Sequence, residues 1–238
     1  MENKINKKLP IIILTAASFL LSFSPIINWI FNSIFLKARY TGISSINIIL
    51  SFLISAVLYL VWAANIAFLE EKLNKPFGII ATYGILVINF LVSVIFEIIF
   101  TIQGFSTLRY SGFSVIISSM TGVLNVIVYI LAAVGLLAAV IFLFVGKEKI
   151  VKTVSMIVMA VLIVVAIIGL LIYIFTNVVS LFNGIPFQFI ITRIIGIFGI
   201  VSAIPFYASI MLYFKANKVP SFKKVEETEE VIEVREAE

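Results

Sequence analysis

The sequence predicts an all-α fold: a polytopic membrane bundle of six transmembrane helices, built as three hairpin repeats. Three observations predict it. Six long apolar stretches fill the chain, the charges fall almost entirely between them, and a short outer-loop motif recurs. A hydrocarbon core about 30 Å thick takes about 20 apolar residues per helical crossing. Of the 238 residues, 62% are hydrophobic and 12% charged, against about 45–50% and about 25% in soluble domains. Too little polar surface exists to coat a water-soluble globule, so lipid is the expected solvent.

The crossings read in order as Leu9–Ile34, Ile43–Leu69, Phe77–Ile102, Phe113–Val145, Val154–Phe182 and Phe189–Phe214. The first has a basic start like a secretory leader, but its apolar run continues through Ile34 and no lipobox cysteine follows, so an uncleaved helix is expected. Pro25 in the first crossing and Pro205 in the sixth each remove a backbone donor and should kink their helices. The fourth and fifth stretches exceed one bilayer width, which implies tilt or protrusion. Residues 1–214 therefore form the membrane domain. Residues 215–238, with five basic and seven acidic side chains, read as a disordered charged tail.

Orientation follows from the flanks. Lys4, Lys7, Lys8, Lys72, Lys75, Lys147, Lys149, Lys152, Lys215, Lys218, Lys223 and Lys224 lie on the side of the termini, and only Lys37, Arg39 and Arg109 lie opposite. This bias predicts a multi-pass protein of the cell membrane with both termini cytoplasmic. The same placement explains the net charge of +5 as topogenic, so no nucleic-acid partner is expected. Lipid is the expected partner, together with a second copy or another membrane protein.

The repeat lies in the outer loops. Arg39-Tyr40-Thr41-Gly42-Ile43-Ser44 follows the first crossing and Arg109-Tyr110-Ser111-Gly112-Phe113-Ser114 the third, with a weaker echo at Asn183-Gly184-Ile185. Duplication of a helical hairpin accounts for it.

Chemistry is sparsely supplied. The chain has no cysteine or histidine, and every acidic residue is glutamate. The usual ligands of zinc, haem and iron–sulfur groups are missing, as is the base of a Ser-His-Asp triad. No catalytic residue, metal or cofactor is expected, and the chain is not read as an enzyme.

Two charges sit inside crossings. Glu97 is the only acidic one and Arg193 the only basic one. Glu97 precedes Gly104 by seven residues and Arg193 follows Pro186 by seven, so both are expected about 10 Å below the outer helix ends. A charge at that depth is costly unless neutral, paired or wet. The expectation is an ion pair clamping the third and sixth helices, with a solute pathway as the alternative.

Polar and small residues recur at four-residue steps, which follow one helix face. Asn89, Ser93, Glu97 and Thr101 form such a row in the third crossing, and Asn47, Ser51, Ser55, Tyr59 and Ala63 in the second. Thr121, Asn125, Tyr129 and Ala133 form one in the fourth, and Gly199, Ala203 and Tyr207 in the sixth. Close helix contact requires such spacing, so these read as a packing seam, with a polar pathway as the alternative. Trp29, Tyr40 and Tyr110 near outer ends, and Trp62 and Tyr213 near inner ends, read as interface anchors. Two functions follow: a non-catalytic membrane protein acting by association with itself or a partner, or a small transporter or channel component with its pathway near Glu97 and Arg193.

Overall fold

The computed structural model describes residues 2–35, 42–66, 76–107, 113–182, 187–217 and 219. Eight α-helices occur among them: α1 (Glu2–Leu21), α2 (Ser24–Phe35), α3 (Gly42–Ala64), α4 (Phe77–Thr107), α5 (Phe113–Phe144), α6 (Glu148–Phe182), α7 (Phe187–Val201) and α8 (Ala203–Ala216). They make six stretches long and apolar enough to cross a membrane, here called spans: Lys8–Ile34, Gly42–Ala64, Phe77–Phe105, Ser119–Phe144, Glu148–Val178 and Ile190–Ala216. Large apolar side chains such as Leu20, Leu60, Leu131 and Leu171 point outward along them, as a lipid-facing surface requires.

The spans form a closed ring in chain order. Contacts run from α1 to α3, α3 to α4, α4 to α5, α5 to α6, α6 to α8, and α8 back to α1. Short connections between antiparallel neighbours favour such an order. Between α5 and α6 the turn is tight. Gly146 has φ 75°, Lys147 N–H donates to the Phe142 carbonyl at 3.0 Å, and Gly146 N–H donates to that of Leu143 at 3.2 Å. This is a Schellman close, whose left-handed residue favours glycine.

Spans one and six are broken, and for one reason. Proline lacks an N–H and its ring crowds the carbonyl four residues back. Four residues before Pro25 is Leu21, where α1 ends, and four before Pro205 is Val201, where α7 ends. A serine follows each end. Ser22 Oγ donates to the Phe19 carbonyl and Ser202 Oγ to that of Gly199, both at 2.6 Å. The two breaks meet: a Cβ added at Gly199 would stand 3.2 Å from Ser24 Oγ and 3.4 Å from Pro25 Cγ. On one side of the breaks α2 packs on α7, and on the other α1 packs on α8.

The ring has two unlike halves. Towards the termini its centre is filled by Tyr59, Trp62, Tyr83, Leu86, Phe90, Leu136, Met159, Phe206, Ile210 and Tyr213, all buried. Aromatic donors tie helices across the ring. Trp62 Nε1 donates to Ser209 Oγ at 3.0 Å, and Tyr83 Oη to Ser155 Oγ at 2.5 Å. Each serine passes its own proton to a helix carbonyl, Phe206 at 2.7 Å and Val151 at 2.6 Å, so these buried groups are satisfied. Trp62 and Tyr213 are thus core residues, 0% and 1% exposed and stacked edge to face at 5.0 Å. The interface-anchor expectation is corrected for both: they are buried at the centre, where the Trp62 indole N–H finds its acceptor on Ser209.

Of the repeat, Arg39-Tyr40-Thr41, Arg109-Tyr110-Ser111-Gly112 and Asn183-Gly184-Ile185 lie outside the described residues. The first and third spans differ in form, one broken at Ser22–Phe23 and the other continuous through Thr107. The tail beyond Val219 also lies outside the described residues.

Candidate functional site

In the half of the ring away from the termini, the centre is open. A cavity of about 740 Å³ lies between spans three to six. α4 contributes Glu97, Thr101 and Gly104, and α5 contributes Ser119, Thr121, Gly122, Asn125 and Tyr129. α6 presents Gly169, Tyr173, Thr176 and Asn177, α7 presents Arg193 and Gly199, and α8 presents Ala203 and Tyr207. Leu162, Tyr129 and Tyr207 lie at its deep end, next to the packed core.

Glycine lets the walls close up. A Cβ at Gly122 would overlap Thr101 Oγ1 and lie 3.3 Å from Glu97 Oε2, and one at Gly104 would come 2.6 Å from Ser119 Oγ. The α4–α5 pair therefore approaches backbone to side chain, which small residues permit. On the other wall a Cβ at Gly196 would overlap the Tyr173 hydroxyl.

The two charges within the apolar spans both line this cavity and are held separately. Glu97 Oε1 accepts a hydrogen bond from Asn125 Nδ2 at 3.1 Å, and Tyr129 lines the same cavity. Arg193 Nη1 donates to the Asn177 carbonyl at 3.4 Å, while the Arg193 carbonyl accepts from Tyr173 Oη at 3.2 Å. Among the described residues no carboxylate–guanidinium contact within 4.0 Å joins Glu97 to Arg193.

Glu97 is carried by α4 and Arg193 by α7, and each finds its hydrogen-bond partner on a different neighbouring helix, α5 for Glu97 and α6 for Arg193.

The other sequence-selected residues divide. Asn125 and Tyr129 line the cavity, and Tyr129 stacks on Phe90 at 5.5 Å with planes 6° apart. Tyr59 is buried behind it, edge-on to Phe206 at 4.8 Å. Ser51 Oγ donates to Asn47 Oδ1 at 3.1 Å along α3. Ser55, Asn89 and Ser93 are half-buried and do not line the cavity. The α6 wall was not singled out from the sequence. Its signal is the same four-residue step, Gly169, Tyr173 and Asn177.

Comparison with known proteins finds no matching family model, no similar curated protein and no similar solved structure. Function is therefore argued from the geometry of the cavity. The chain is an all-helical protein whose six apolar helices are compatible with a multi-pass integral membrane protein.

Proposed function

We propose that this chain is a small transporter or channel component that admits a polar solute into a half-membrane cavity, and that it is not an enzyme. One observation carries the reading. Glu97, Arg193, Asn125, Thr121, Tyr173 and Asn177, all within the apolar spans, converge on one cavity of about 740 Å³. That volume is within the range of small-molecule sites, about 300–1,000 Å³. Intramembrane charges facing a shared cavity mark solute pathways more readily than inert packing. Two broken helices meeting beside it support the same reading, since discontinuous spans recur at transport sites near the bilayer midplane. With cytoplasmic termini, the cavity lies in the outer half of the cell membrane and the aromatic core seals the inner half.

Action by association alone has weaker support. Four of the glycines are used within the chain, Gly122 against Thr101, Gly135 against Val158, Gly196 against Tyr173 and Gly199 against Ser24, while Gly84 is exposed with nothing within 4 Å.

The absence of cysteine makes the test direct. Single cysteines at Thr121 and Ala166, on the cavity, should react with a membrane-impermeant thiol reagent added outside intact cells. Cysteines at Leu136 and Ile210, in the packed half, should not. A Thr121→Cys protein as inert as Leu136→Cys makes the cavity dry and removes the transport reading. Labelling only in inside-out vesicles reverses the orientation.

A further inference from the structure

We propose that the cavity ligand is a zwitterion with separated charges, its cationic end on Glu97 and its anionic end on Arg193. The inference rests on the solute-binding reading above and adds the chemical class.

Charge complementarity selects the class. A lone cation drawn to Glu97 meets Arg193 in the same cavity, and a lone anion meets the converse. A neutral polyol leaves both ions without a counter-charge in a low-dielectric site, where a buried unpaired ion is costly. A molecule carrying both signs compensates both at once. Neither side chain is committed to the other, and each has capacity left. The guanidinium has five N–H donors, of which one makes a long contact to Asn177, and the carboxylate accepts one bond from Asn125.

The geometry also sets the ligand's form. Glu97 and Arg193 make no contact within 4.0 Å and are held on different helices, Glu97 by Asn125 and Arg193 by the Asn177 carbonyl. A spacer of a few methylenes between the two charges lets one molecule reach both groups.

The experiment measures thermal unfolding of the full chain in maltoside micelles with glycine, 4-aminobutanoate and 6-aminohexanoate. Butanoate and butylammonium are the singly charged controls. One of the two longer zwitterions should raise the melting temperature in proportion to the logarithm of its concentration. Glycine and both controls should require at least about tenfold more, the cost of one lost charge-assisted contact. Glu97→Gln and Arg193→Gln should each abolish the shift, and Tyr83→Phe, outside the cavity, should keep it. Equal shifts from butanoate or butylammonium, or from none of the series, overturn the proposal, and the wild-type comparison stands even where a variant does not fold. A shift by glycine alone overturns the charge separation.

A free solute and a lipid headgroup share this chemistry. Repeating the titration in nanodiscs of anionic phosphatidylglycerol and of zwitterionic phosphatidylethanolamine separates them, because a headgroup ligand competes only in the second. If Thr121→Cys labels but no zwitterion binds, the ligand class fails and the cavity reading stands.

Discussion

The two halves of the ring use the same six spans and the same alphabet, yet one is filled and the other open. The half near the termini closes with large aromatic side chains pointing inward. Trp62, Tyr83, Phe206 and Tyr213 are all buried there, and the Trp62 indole and the Tyr83 hydroxyl donate to serines of facing helices. The opposite half presents glycine, threonine, asparagine and the two charges there instead. The difference teaches what decides packing among apolar helices. Side-chain volume and polar partners decide whether they close up or stand apart. Bulk at the centre with satisfied donors gives a plug. Small and polar residues around Glu97 leave a space that water or a solute completes.

The largest expected effect tests the plug. Trp62→Ala removes a fully buried indole and its bond to Ser209, and large aromatic truncations cost about 3–5 kcal/mol. Phe100→Ala removes a ring that lines the cavity and should cost less than half as much, since one side of that ring already lacks neighbours. Unfolding free energies in mixed detergent give both values. Equal losses would mean that the halves are packed alike.

A smaller effect sharpens the same contrast with one substitution at two glycines. A Cβ at Gly135 would stand 2.8 Å from Val158 Cγ2 across the α5–α6 contact, while one at Gly169 would meet nothing within 4 Å. Gly135→Val should cost about 1–3 kcal/mol through overpacking. Gly169→Val should stay within about 0.5 kcal/mol, while narrowing the cavity and weakening any ligand-induced shift. A Gly169→Val protein as unstable as Gly135→Val would show that the cavity is closed.

The spans were legible because length and hydropathy act locally: about 20 apolar residues are a crossing whatever surrounds them. The positions of the breaks were legible from Pro25 and Pro205, since the clash reaches a fixed four residues back. The serine three residues before each proline, Ser22 and Ser202, is in the sequence, but spacing pairs Ser22 with Ser18 as a small-residue step and does not mark its place at the break. Half of the cavity wall was also within reach. The rows through Asn125 and Gly199 were found by spacing, and the α6 row obeyed the same spacing without being selected. What spacing cannot supply is which rows face each other at what depth. Trp62 near a helix end looks like an interface anchor until Ser209, 147 residues away, supplies its acceptor.

The smallest expected effect concerns those two charges. A clamp predicts strong coupling: either single replacement leaves a buried ion, and the double replacement restores much of the loss. Here the carboxylate is held by Asn125 and the guanidinium by the Asn177 carbonyl, with no contact between them. Each loss should then be local. Glu97→Gln retains an acceptor for Asn125, and Arg193→Gln retains a donor for Asn177, so both single effects should be modest. The double variant should equal their sum within about 0.5 kcal/mol, as for sites without shared partners. Thermal unfolding of the two single variants and the double, without added ligand, measures the coupling. A double variant clearly more stable than the sum would restore the clamp and close the cavity between the charges. Additivity without ligand, joined to loss of the zwitterion shift in either single variant, would place the coupling of Glu97 and Arg193 in the ligand that bridges them.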